Sequence, residues 1–380
     1  MKRPLRRYLV VLLAALAAGC ASQQGPANHV QRNKPPADSA DEWETDSPAA
    51  ANLDPELLAA MVKHVRDGNY QSVHSILLIR NGKLVVEEYF PGHDSSGNAR
   101  TFNRDTLHEL HSATKSVNSL IIGIAIDQGL IKSVDEKIAS FFPEYANLFA
   151  ADAGKAAISI KDCLSMTAGL SWNESLPYAD PRNDHVAMNN TSDPIRYVLQ
   201  RPLATKPGTH FLYNSGISIV LGEIIHKASG LRADEFARKY LFAPLGIRDF
   251  YWQRYPNQVV QAGGGLSLRP RDMARIGLLM LNDGRWRGKQ IVSEPWVRES
   301  IRQEAPDLPY GYQWWLLGEP PRIAEAYGAL GRGGQCIIVL PELQIVAVFT
   351  GWNDGPVFGG PPFDMLKRYI LPAAAKPSGH

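Results

Sequence analysis

The chain has 380 residues, 44% hydrophobic and 21% charged, the balance of an ordinary globular protein, which excludes collagen-like, coiled-coil and wholly disordered chains. Forty basic side chains stand against 38 acidic ones, a formal net charge of +2, so the basic footprint of a nucleic-acid-binding protein is absent. The length allows two or three small domains, or one large α/β domain with an insertion that buries an ample core.

Residues 1–19 open with Lys2, Arg3, Arg6 and Arg7 and continue in an apolar run from Tyr8 to Ala18. That run is too short to span a bilayer and suits a secretory signal. Cleavage after it leaves a chain of net charge −2. The signal ends Leu16-Ala17-Ala18-Gly19-Cys20, and small residues leading into a cysteine resemble a bacterial lipoprotein lipobox. The resemblance implies that Cys20 carries the lipid and ties the chain to a membrane; a plain signal cut near Ala18, with Cys20 incidental, is the alternative. Ala21 in the next position, rather than aspartate, points to the outer membrane of a Gram-negative cell, facing the periplasm. Of the other cysteines, Cys163 and Cys336 lie far apart without metal-type spacing, and two small buried hydrophobes are expected rather than a disulfide.

Residues 20–52, rich in Gln, Asn, Pro, Asp and Ser, cannot offset their own ordering entropy and read as a flexible tether. The folded domain is expected over residues 53–373. It begins with a helix from Asp54 to Arg66, where Leu57, Leu58, Met61, Val62 and Val65 recur at helical spacing. Two β-rich runs follow, Val73 to Ile79 and Leu84 to Tyr89, and Asn81-Gly82 between them signals a tight hairpin. Ser116 to Gln128 is apolar nearly all round and stops at Gly129, as a buried central helix does. Residues 135–249 alternate helical patterns with turn-rich loops and show no clear strand. Strand signals return at Tyr312 to Leu317, Ala324 to Leu330, Gln335 to Leu340 and Ile345 to Gly351, before a last helix from Phe363 to Ile370. The expected fold class is α/β in the α+β sense. One antiparallel sheet, flanked by helices, is built from residues 53–134 and 250–373, with a mostly helical lobe, 135–249, inserted between them.

Three short segments carry chemistry. In Ser112-Ala113-Thr114-Lys115 the hydroxyl and the amine are three residues apart, on one helical face if Ser112 opens the helix that follows. A serine hydroxyl needs a base beside it, and burial, which disfavours the charged form of an amine, suits a lysine to that task. The N-terminus of the helix adds N–H groups that favour developing negative charge. About one Ser-x-x-Lys arises by chance in a chain of this length, so the motif alone is weak. In Tyr213-Asn214-Ser215 a phenol beside such a pair can relay a proton to a leaving group; a tyrosine filling core space is the plain reading. In Ala329-Leu330-Gly331-Arg332-Gly333-Gly334, glycines allow a strand edge to approach a substrate, and a backbone N–H there can join that of Ser112 in an oxyanion hole; a glycine-rich bulge is the plain reading.

Taken together, the order of these segments resembles the serine β-lactamase and penicillin-binding-protein superfamily, in the class C-like branch that includes esterases, D-aminopeptidases and 6-aminohexanoate-dimer hydrolases. The likeness runs from about Leu53 to Leu371 and includes Leu164-Ser165-Met166-Thr167-Ala168-Gly169-Leu170 and Gly263-Gly264-Gly265-Leu266. It implies a β-lactamase/transpeptidase-like fold. Ser112 is then the acylated nucleophile, Lys115 its base partner and Tyr213 the proton relay, with the N–H groups of Ser112 and Arg332 as the oxyanion hole. Two departures stand out. The branch often has Tyr-x-Asn where this chain has Tyr213-Asn214-Ser215, and the Lys-Thr-Gly of true β-lactamases and transpeptidases becomes Ala329-Leu330-Gly331.

The expectation is a lipid-anchored serine hydrolase that cleaves a small-molecule amide or ester through an acyl-enzyme on Ser112, with no metal and no organic cofactor. The alternatives are a D,D-peptidase or weak class C-type β-lactamase, and a catalytically idle binding protein on the same fold. His108-Glu109-Leu110-His111 is one residue short of metalloprotease spacing, and no Gly-x-Ser-x-Gly elbow or phosphate-binding loop occurs. Trp172 and Tyr178 sit in a loop where aromatic residues serve a cleft or simple packing.

Overall fold

The structure is a computed structural model that describes residues 43–94, 96–318, 325–353 and 358–375. The signal segment 1–19, Cys20 and the tether up to residue 42 lie outside the described residues. The last part of the expected tether is not loose: Thr45 bridges Leu84, the Leu84 amide donates to the Glu44 carbonyl, and Ala51 and Leu53 are buried. Composition missed this because only two or three side chains in the segment do the packing.

Helix α1, Pro55–Arg66, starts where Asp54 accepts the amides of Glu56 and Leu57 and Pro55 occupies the first turn; Lys63, His64 and Arg66 complement its far end. It buries Leu58, Met61, Val62 and Val65. Strands β1, Val73–Arg80, and β2, Lys83–Tyr89, form the expected hairpin, with Asn81 and Gly82 both at positive φ (51° and 79°), as the two-residue turn requires. The remaining strands of the main sheet are β3 (Trp315–Leu316), β4 (Tyr327–Gly331), β5 (Gln335–Leu340) and β6 (Ile345–Gly351). Their order is β3-β4-β5-β6-β1-β2, antiparallel throughout, so the N-terminal hairpin completes a sheet begun by the C-terminal strands.

The alternation of side chains along a strand divides the core in two. Ile76, Leu78, Ile338, Ala347 and Phe349 face α1 and the C-terminal helical run 361–375. Leu77, Ile79, Ile337, Val346 and Val348 face the other way, onto helix α2 (Thr114–Asp127) and α4 (Pro270–Leu281). Helix α4, which the strand signals of residues 250–373 obscured, comes close to the sheet at Gly277, where a Cβ would strike Val346 and Ile337. Residues 135–249 contribute no strand to the sheet among the described residues. Their longest element, α3 (Ser215–Ser229), is capped by Asn214 and packs beside α2. A small ribbon of Tyr251–Trp252, Leu266–Leu268 and His108–Glu109 lies at the junction of the two parts. It brings residues 111–115 next to residue 263.

The expected strand from Tyr312 to Leu317 shrinks to Trp315–Leu316. Gln313, at φ 62°, turns away to donate its N–H to Leu164, while its side chain donates to Ser218 on α3 and its carbonyl accepts from Ser116 on α2. Those bonds replace the ladder.

Candidate active site

Ser112 lies in a single 3-10 turn, His111–Ala113, that runs straight into α2, rather than in the α-helix itself. The three-residue spacing still serves: Lys115 Nζ donates to Ser112 Oγ at 3.1 Å. Lys115 is only 1% exposed, and buried N–H groups need acceptors. It finds a second one in the carbonyl of Gly263, at 2.5 Å. Gly263 permits this by coming within reach of the α3 N-terminus, since a Cβ would sit 2.8 Å from the Ser215 carbonyl. The Gly-Gly-Gly run counted in sequence as part of the family likeness but carried no assigned role.

Tyr213, just before α3, brings its ring centroid to 4.9 Å from Lys115 Nζ. Ser112, Lys115 and Tyr213, 101 residues apart along the chain at the widest, therefore meet in one place. The residue after Asn214 has a different task from the one its position suggested. Ser215 donates its amide N–H (2.9 Å) and its hydroxyl (2.6 Å) to Glu174, which also accepts from Trp172 Nε1 at 2.8 Å and Tyr178 Oη at 3.3 Å. Burial pushes the Glu174 carboxyl up, but His185, Lys115 and the two Ser215 donors outweigh it and hold the pKa below the usual range. Glu174 is thus a half-buried carboxylate at the head of a helix. Sequence reasoning passed over it because a glutamate in a loop has no local signature. Trp172 is a packing residue, 5% exposed, whereas Tyr178 faces the site.

On the opposite side, β4 presents the edge at Ala329 to Gly331; β3 pairs only with Tyr327 and Gly328. Gly331 lies against the nucleophile's turn, and a Cβ there would fall on the Leu110 carbonyl oxygen and 3.2 Å from the Ala113 amide. Arg332 follows immediately, its guanidinium 5.2 Å from the Tyr178 ring centroid and 5.6 Å from that of Trp352. The Lys-Thr-Gly departure is a physical one: Ala329 and Leu330 are 0% and 2% exposed, so no cation stands at that position.

His111, immediately before the nucleophile, is partly buried. It holds a positive φ of 45°, its Nδ1 lies 3.4 Å from Glu109, and its ring lies 5.0 Å from Trp352. Burial, with His108, Arg332, His185 and Lys115 adding to it, lowers its pKa to about 3. It is neutral in the working range. His108 turns instead to His74, ring nitrogen to ring nitrogen at 2.8 Å. Cys163 and Cys336 are both buried free thiols, as expected.

A sequence-family profile described as Beta-lactamase matches residues 58–357. The 6-aminohexanoate-dimer hydrolase of Paenarthrobacter ureafaciens is 28% identical over 305 residues, covering 74% of this chain and 73% of that protein. Among solved structures, a penicillin-binding protein homologue from Caulobacter crescentus superposes with a TM-score of 0.66 at 19% identity, covering 87% of this chain and 98% of the other. EstCE1, a hydrolase with promiscuous acyltransferase activity, gives a TM-score of 0.67 at 16% identity, again covering 87% and 98%. At those identities the structural likeness speaks for the fold.

Proposed function

The chain belongs to the Beta-lactamase family, and from that premise we propose that it is a serine hydrolase that cleaves amide or ester bonds through an acyl-enzyme on Ser112. One observation carries the reading: a hydroxyl and a buried amine in hydrogen-bond contact, Ser112 Oγ and Lys115 Nζ at 3.1 Å, with a phenol ring against the amine. Neither a binding protein nor a scaffold has a use for a buried lysine held on a serine. Lys115 takes the proton as Ser112 attacks the substrate carbonyl. Lys115 hands that proton to Tyr213 as Tyr213 passes its own to the leaving atom, the C–O or C–N bond breaks, and water later releases the acid by the reverse path. The N–H groups of Ser112 and Arg332 hold the oxyanion, a role supported by Gly331 lying flat against the nucleophile's turn.

The 28% identical relative is named a 6-aminohexanoate-dimer hydrolase, which supports amide or ester chemistry on a small molecule. The buried Ala329 and Leu330 weigh against the D,D-peptidase and β-lactamase readings, which call for a cation there. A fluorophosphonate probe tests the proposal: wild type is labelled, Ser112→Ala is not, and Lys115→Ala is labelled at least a hundredfold more slowly. Labelling that survives loss of Ser112 overturns it. Nitrocefin hydrolysis as fast as that of simple p-nitrophenyl esters would favour the β-lactamase alternative.

The lipobox-like Leu16 to Cys20 supports a lipid on Cys20 and residence in the cell envelope, at the outer membrane facing the periplasm. Cys20→Ser is expected to move the protein from the membrane to the soluble fraction; unchanged membrane association counts against the anchor.

A further inference from the structure

Rings crowd one flank of the site. Tyr213 is near-parallel to Trp315, with centroids 6.2 Å apart and 19° between planes. Around Trp315 stand Phe211 at 6.1 Å, Tyr310 at 4.8 Å and Phe358 at 4.9 Å. Tyr310 is buried and serves as backing, whereas Trp315 is partly exposed and Phe358 is 38% exposed. Trp315 lies on the two-residue strand β3, and both residues of that strand are partly exposed. Among the described residues the rings that surround Trp315 are uncharged, and Lys115 meets the cluster at Tyr213, 4.9 Å from that ring's centroid. The cation of Arg332 lies on the other flank, with Tyr178 and Trp352. A folded chain gains nothing from leaving large aromatic faces in water, and such a surface beside reactive groups marks a binding site.

The place of the wall says what it binds. In the acyl-enzyme mechanism proposed above, on which this inference rests, Tyr213 delivers a proton to the leaving atom, so the leaving group lies against Tyr213. Whatever extends beyond that atom on the Tyr213 side meets Trp315 and then Phe358. We propose that Trp315 and Phe358 form the leaving-group subsite of this enzyme and that it selects amides and esters with an uncharged, apolar leaving group, aryl or alkyl. The selection acts through burial. A fully buried methylene is worth about fourfold in kcat/KM, and a wall open on one side returns roughly half of that free energy, about twofold.

The test uses 4-alkylphenyl acetates, from phenyl to 4-butylphenyl, whose leaving-group acidity is nearly constant while apolar size grows. Wild type is expected to gain about fifteenfold in kcat/KM across the series. Phe358→Ala, a change at a half-exposed side chain, and Trp315→Ala should reduce the gain to threefold or less. In a p-nitrophenyl series that lengthens only the acyl chain, the dependence on chain length should be the same in both variants as in wild type. A flat wild-type profile overturns the proposal, as does a leaving-group gain that Phe358→Ala and Trp315→Ala leave intact. An equal loss of chain-length dependence on the acyl side also overturns it. If Ser112 is labelled by fluorophosphonate and the leaving-group series is flat, the subsite alone fails. If Ser112 is not labelled, the hydrolase reading fails with it.

Discussion

Glu174 takes both the amide N–H and the hydroxyl of Ser215, at 2.9 and 2.6 Å, and so fastens a loop of the inserted lobe to the first residue of α3. Tyr213 lies two residues upstream. Any play at this fastening is passed to the phenol that the mechanism needs in place, since a small displacement of a catalytic group costs rate steeply.

Removal of Glu174 leaves the buried donors of Ser215 and Trp172 unpaired, at about 1–3 kcal/mol each. Glu174→Ala should therefore lose several degrees of thermal midpoint and about tenfold or more in kcat, and Glu174→Gln, which keeps one acceptor oxygen, should lose less. Ser215→Ala and Glu174→Ala should be strongly non-additive in steady-state kinetics, because they break one interaction. Fully additive losses would separate Glu174 from Ser215.

The Gly263 carbonyl is the second acceptor for Lys115, and the backbone there has no room for a side chain. Gly263→Ala is expected to push the carbonyl off Lys115 and to lower the rate of Ser112 acylation about tenfold or more, read from the burst of a p-nitrophenyl ester. The same substitution at Gly230, a helix C-cap at φ 75° with open space around it, should cost stability only. Equal acylation rates in the two variants would remove Gly263 from the site.

Gly331 makes the close approach of β4 to the turn that carries Ser112. Gly331→Ala should separate the Arg332 amide from that of Ser112 and lower kcat by about a hundredfold, the scale of losing one oxyanion donor. KM should change by less than threefold. A variant that loses substrate binding but keeps kcat would argue for a purely steric role.

Two buried histidines, His74 and His108, and the partly buried His111 make stability depend on pH. His74 is lowered to about 3 by burial, with His108 and His93 adding and Asp94 opposing; His108 is lowered to about 4 by burial, against the pull of the Glu109 carbonyl. His111 is lowered to about 3 by burial. With an unfolded value near 6.5, the unfolded chain binds more protons between about pH 3 and 6.5, so stability is complete above that window and falls as the pH falls through it. The slope is at most about 1.4 kcal/mol per pH unit for each histidine. Urea midpoints should hold from pH 8 to 7 and fall from pH 6 to 4, with a shallower fall in His74→Phe. A midpoint that rises toward acid would contradict the buried neutral state.

How far these features were legible in the sequence depends on distance along the chain. The Asn81-Gly82 turn, the apolar α2 and the Ser112/Lys115 pair were readable because each is a relation between residues at most a few positions apart, set by backbone sterics and helical spacing. Tyr213 was readable only through its resemblance to a family pattern. The lysine's second acceptor was not readable, because Gly263 is 148 residues away and offers a carbonyl that every residue has. Glu174 was hidden for the same reason, 41 residues from Ser215. The attached end of the tether escaped because its few contacts, Thr45 to Leu84 above all, are weak in composition.

Composition, periodicity and three short motifs, read with the family resemblance, thus determined α1, α2 and most strands of the main sheet, the expectation of a split sheet with a helical insert, and the chemistry expected of the site. The tertiary structure alone decided which carbonyl holds Lys115, which carboxylate anchors the head of α3, and which flank of the cleft is aromatic and which cationic. The reason is physical. Local backbone preferences act over a few bonds, whereas burial and hydrogen-bond pairing are settled only when distant segments exclude water together.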